Sequence, residues 1–152
     1  MADPFVAGER LTAARLNEMR TPGAWVPWTP GFTGLTVGNG TLACAYFVSG
    51  NFVAVRIYFA MGTTSVMGSP ISNLPFPGNG AQFGGGQIAT YRDVSATADY
   101  DGIFRIAGGN SIYWLIMNKA GANDSRVHVA ATVPFTWAVG DIASGYLMYE
   151  RG

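Results

Sequence analysis

The sequence predicts a mainly β protein: an antiparallel β-sandwich or jelly-roll-like domain preceded by a short N-terminal helix. Three observations carry this. Apolar residues alternate with their neighbours in short runs, turns containing glycine and asparagine separate those runs, and the one helical pattern lies in the first two dozen residues. The chain has 152 residues, a length suited to one domain with a substantial core. It divides into an N-terminal arm, residues 1–24, and a β body, residues 25–152.

The arm contains "LTAARLNEM", a short helix with Thr12 as its N-cap. Leu11 before the cap and Leu16 inside the helix fit a hydrophobic staple, and Pro22 and Gly23 end the segment. A helix of two to three turns is marginal alone and needs a packing partner. In the body, "LACAYFV" and "NFVAVRIYFAMG" form a hairpin around Ser49-Gly50-Asn51. The second run places Val53, Val55, Ile57 and Phe59 on one face and Phe52, Ala54, Arg56 and Tyr58 on the other. A further hairpin joins "GIFRIA" to "SIYWLIMNK" through Gly108-Gly109-Asn110. There Ile112, Trp114 and Ile116 oppose Tyr113 and Leu115, so both faces are apolar. Such a strand is covered once by its own core and once by another layer or a neighbouring subunit. Pro70, Pro75 and Pro77 predict loop or sheet edge in the stretch between the hairpins. "QIATYRDV", "RVHVAATV" and "GYLMYER" supply further strands, with "PFTWAVGDIAS" as a long connection, for a total of about eight.

Charged residues make up only 12% of the chain, against 49% hydrophobic. That balance leaves few polar groups to cover a monomer's surface and suits a protein that hides surface in an assembly. Lys+Arg and Asp+Glu each count 9, and with no basic stripe nucleic acid is not an expected partner. No apolar run is long enough for a transmembrane helix, so membrane insertion is not expected. The first residues lack the pattern of a secretory signal, which predicts a protein made in the cytoplasm.

No motif carries chemistry. "GNGTL", residues 38–42, lacks the lysine and the following helix of a phosphate loop. Asn39-Gly40-Thr41 matches a glycosylation triplet, but without a secretory signal the better reading is a tight corner before a strand. "GNGAQFGGG", residues 78–86, reads as a surface loop. Cys44, the single cysteine, reads as a small buried hydrophobe, and His128, the single histidine, as an ordinary strand residue. Asp99, Asp101, Asp124 and Asp141 read as turn or capping residues. Neither an enzyme nor a cofactor or metal site is expected. Trp25, Trp28, Trp114 and Trp137 read chiefly as core or interface residues, with Trp25 and Trp28 anchoring the linker. An aromatic platform for sugars, formed with the seven tyrosines, is the alternative.

Four stretches together resemble small accessory proteins of tailed bacteriophages, especially those infecting actinobacteria. "DPFVAGERLTAARLNEM" resembles the start of phage minor tail and fibre-like proteins, where an "AG-x-RLTA-x-x-LN" pattern recurs. "WTPGFTGLTVGNGTLACAYFVSGNFVAVRIYFAMGTTS", "SNLPFP" and "VPFTWAVGDIASGYLMYE" resemble the domain that follows. The resemblance spans nearly the whole chain through structural motifs, without a catalytic signature. It implies a virion surface protein, commonly homotrimeric, attached to capsid or tail proteins through its N-terminal segment. Phe5, Leu11, Leu16 and Met19 are then the attachment candidates, and Ile112, Tyr113, Trp114, Leu115 and Ile116 mark a trimer or core interface. The chain lacks the long shaft of a true fibre, so capsid decoration stands beside tail placement. A lectin-like module recognising host cell-surface glycans is the alternative function.

Overall fold

The computed structural model describes residues 24–79, 87–118 and 125–152. The expected helix, the attachment candidates Phe5, Leu11, Leu16 and Met19, most of the 78–86 loop and Asp124 lie outside the described residues.

The described chain is mainly β, with ten strands and no helix. They are β1 (Val26–Pro27), β2 (Phe32–Thr36), β3 (Thr41–Ser49), β4 (Phe52–Ala60), β5 (Val66–Asn73), β6 (Ile88–Asp93), β7 (Ala98–Ala107), β8 (Ser111–Asn118), β9 (Ser125–His128) and β10 (Ile142–Glu150). All pair antiparallel in one continuous sheet, ordered β1-β3-β4-β10-β6-β7-β8-β5-β2, with β9 alongside the second half of β8. The sheet curls into a half-barrel.

Chain connectivity explains the curl. β1 and β2 stand at opposite ends of the strand order, yet only residues 28–31 separate them. Five Cα steps reach at most about 18 Å, whereas nine strands laid flat would span on the order of 40 Å. The sheet therefore bends until its edges approach. Within the linker, Trp28 N–H donates to the Cys44 carbonyl at 3.0 Å, and the Gly31 carbonyl accepts from Asn73 N–H at 3.2 Å. Four residues thus tie β3 to the end of β5.

Two further connections cross the same gap: residues 37–40 from β2 to β3, and residues 61–65 from β4 to β5. "GNG" sits in the first and binds the second. Asn39 Oδ1 accepts from Thr64 N–H at 2.9 Å, and Asn39 Nδ2 donates to Thr63 Oγ1 at 2.8 Å. Thr64 Oγ1 in turn accepts from Asn39 N–H at 2.9 Å. Gly38 holds φ +57 against the Thr64 backbone. The corner is architecture, and the amide of the glycosylation-like triplet is already engaged.

The core lies inside the curl. Val53, Val55, Ile57 and Phe59 of β4 are all at most 2% exposed, each side chain contributing roughly 1.5–3 kcal/mol by its removal from water. In register beside them on β10 are Tyr149, Leu147 and Ala143. The facing part of the sheet supplies Leu35, Met67, Phe104, Ile112, Trp114 and Ile116. The Trp114 ring lies 5.2 Å from Phe104 and 5.9 Å from Phe32. "PFTWAVGDIAS" is more than a connection: Phe135 and Trp137 are buried and pack on each other at 4.6 Å, with Trp137 6.1 Å from Tyr91. Asp141, 1% exposed, fastens this segment. Its carboxylate accepts from Ala138 N–H at 2.6 Å and Val94 N–H at 2.9 Å.

Pro70 departs from the expected loop or edge and lies buried within β5, which pairs on both sides. Local geometry permits it. Pairing with β8 covers only Ile71, Ser72 and Asn73, and pairing with β2 is interrupted between Thr33 and Leu35. At that irregularity Gly34 takes φ +75 against the Ser69 backbone, where a Cβ has no room. Proline, lacking an N–H, occupies the part of β5 where the ladder is already broken.

Candidate functional site

The alternation that buries one face of β4 presents the other outward, on the convex side of the sheet. Cross-strand register fixes the arrangement there. Ala43 of β3, Tyr58 of β4, Ser144 of β10 and Thr90 of β6 form one row. Ala45, Arg56, Tyr146 and Ile88 form the next. Beyond them lie Phe47, Ala54 and Met148, and then Phe52 beside Glu150. Small side chains at Ala43 and Ala45 leave a depression between larger neighbours. The resulting open cleft has a volume of about 800 Å³ and is bordered by Trp25, Arg56, Tyr58, Ile88 and Tyr146.

Several of these side chains face water: Tyr146 is 59% exposed, Ile88 65% and Phe52 54%. The Arg56 guanidinium lies over the Trp25 ring, 5.0 Å from its centroid, and Trp25 is 6.2 Å from Phe47. Among the described residues no carboxylate lies within ion-pair distance of Arg56. A cation over a ring face is attracted by the ring's quadrupole, and a guanidinium so placed keeps N–H donors for a further partner. Chemically, the cleft offers aromatic surfaces, aliphatic hydroxyls and one cation. Such a set binds by stacking, hydrogen bonding and charge.

The residues singled out from sequence fall elsewhere. Ile112, Trp114 and Ile116 belong to the core of this single chain, at 5% exposure or less. Leu115, on the opposite face of β8, is also buried. Tyr113 is half-buried, with its ring 5.3 Å from His128 and the Arg105 guanidinium 5.8 Å from the ring. His128 is exposed, and no group of three or more His, Cys, Asp or Glu side chains placed to hold a metal ion occurs among the described residues. Asp141 caps a turn as expected. Asp99 and Asp101 instead lie within β7, where Asp99 pairs with Arg92 at 3.7 Å across the strands. Cys44 is buried, and burial pushes its thiol up to about 11. Trp114 and Trp137 are core residues, Trp28 packs partly buried against the core and also lines the cleft, and Trp25 is exposed at the cleft's border.

Alternation separates the two faces of β4, and the tyrosines are candidates for a sugar platform, but nothing in the sequence singles out Tyr58 and Tyr146 or gives Arg56 and Ile88 a role. The pairing of β10 between β4 and β6 brings them together across nearly 90 residues of chain. Comparison with protein-family models, with curated proteins and with solved structures finds no match.

Proposed function

We propose that this chain is a structural component of a bacteriophage virion surface, a homotrimer attached to capsid or tail proteins by its N-terminal segment. In this reading a short helix in that segment docks onto the particle, and a jelly-roll-like body faces outward. The supporting observation is the convex sheet face, where Phe52 and Met148 stand exposed beside Phe47 on a chain with 12% charged residues. Apolar surface of this kind is covered when copies or neighbours assemble. The test is imaging of intact particles carrying a label on Gly152, which is exposed. Label is expected on the particle, spread over the head for a decoration protein or confined to the tail for a tail protein. Particles without label overturn the reading.

A second reading, recognition of host cell-surface glycans, is favoured by one feature: the cleft in which Arg56 stacks on Trp25 between Tyr58 and Tyr146. Aromatic rings beside hydroxyl donors and acceptors suit the apolar faces and polar edges of sugars.

A further inference from the structure

We infer that the convex cleft is a binding site for an acidic saccharide, with a sugar carboxylate at Arg56 and sugar rings against Tyr58 and Tyr146. This rests on the glycan-recognition reading and adds to it both the site and the ligand class.

The charge pattern selects the ligand. Arg56 is exposed, its guanidinium carbon lies over the Trp25 ring at 5.0 Å from the centroid, and no carboxylate among the described residues neutralises it. A guanidinium presents N–H donors in a fork matched to a carboxylate. Among the described residues, the other side chains bordering the cleft are uncharged. Among the described residues the cleft holds one cation without a carboxylate partner, which favours a ligand with one anionic group over a dense polyanion. Nucleic-acid binding instead calls on roughly 6–10 phosphate contacts, which one arginine does not supply. A neutral saccharide would leave the guanidinium with no counter-charge.

Shape and surface agree with charge. A volume of about 800 Å³ lies within the approximate range of 300–1,000 Å³ usual for small-ligand sites. Thr90 and Ser144 supply hydroxyls in the same row as the Tyr58 ring. Tyr146, mostly exposed beside Arg56 in the next row, offers an unobstructed ring. These side chains project from three adjacent strands of a hydrogen-bonded sheet, β4, β10 and β6, so the site is held in place before any ligand arrives.

The test is titration calorimetry on the full chain with a tetrasaccharide alternating glucuronic acid and N-acetylglucosamine, and with the tetramer of N-acetylglucosamine as neutral control. The acidic sugar is expected to bind at least about tenfold more tightly than the neutral one, a factor equivalent to ~1.4 kcal/mol. Arg56→Gln should remove that preference, Tyr146→Ala should weaken both sugars about tenfold, and Tyr146→Phe should retain the preference. Circular dichroism and the thermal midpoint check that each variant is folded, which these exposed positions allow. Equal binding of both sugars overturns the acidic assignment and leaves glycan recognition standing. Binding of neither sugar overturns both. The same holds if sedimentation shows the cleft consumed by a second copy, with Arg56→Gln and Tyr146→Ala dissociating the oligomer.

Discussion

Tyr91 shows how the core handles a polar atom it has little use for. Its ring is fully buried against Trp137, and its hydroxyl has no hydrogen-bond partner of good geometry among the described residues. Burial drives the phenol well above its ordinary ionisation range. A buried hydroxyl without a partner costs about 1–3 kcal/mol. Tyr91→Phe should therefore unfold at a higher denaturant concentration, with a gain of about 1 kcal/mol. Equilibrium urea denaturation checks this, and a clear loss of stability would mean that the hydroxyl is bonded in solution. Tyr149 is the contrast: its hydroxyl donates to the Phe76 carbonyl at 2.9 Å and accepts from Phe76 N–H at 3.3 Å, so its phenylalanine variant should lose stability.

Among elements, the two connections that cross the gap between sheet edges rely on Asn39. Its side chain and backbone make four hydrogen bonds to Thr63 and Thr64, on an exposed surface where each contributes modestly. Asn39→Ala is expected to cost about 1–2 kcal/mol and to speed amide exchange in residues 61–65; exchange indistinguishable from the parent protein would show the crossing held by other means. The corner itself was legible in "GNG", because glycine and asparagine around a strand start have few other uses. Its partner "GTTS" was not, since the two connections meet only when the sheet has curled. The hairpins around Gly50 and around Gly108-Gly109 were legible for the same local reason, and both glycines of the second turn, like Gly50, take positive φ. Pro70 misled, because the bulge at Gly34 that tolerates it lies on another strand. The convex cleft was half legible: alternation separated Arg56 and Tyr58 from Val55 and Ile57, while neighbours Ile88 and Tyr146 depend on strand order.

For the whole molecule, burial of weak acids sets an alkaline limit. Cys44 is pushed up to about 11 and Tyr149 to about 12, in both cases chiefly by burial. Both are neutral in the fold and ionise more readily once unfolded, near 9 and 10 respectively. Between those values the unfolded chain binds fewer protons, so stability falls as pH rises. It is fully present below about pH 9 and declines through pH 11–12. Urea midpoints at pH 8 and pH 11 should differ in that direction, with a smaller difference in Cys44→Ala. Equal midpoints would mean that neither group is buried in solution. The same scale explains why sequence suggested about eight strands in a sandwich or jelly roll: β1, with two residues, is too short to register as a pattern, and a continuous sheet differs from two stacked sheets only in long-range pairing.

The position of β10 has a consequence for how the protein is made. Synthesised last among the strands, it lies in the middle of the sheet, hydrogen-bonded along β4 on one side and β6 on the other. A nascent chain that has reached residue 140 therefore holds two incomplete assemblies, β1–β3–β4 and β6–β7–β8–β5–β2 with β9 beside β8, whose β4 and β6 edges are open and lack the strand that pairs them. Completion of the sheet waits until residues 142–150 have emerged from the ribosome. The interval before insertion exposes both edges to other nascent chains.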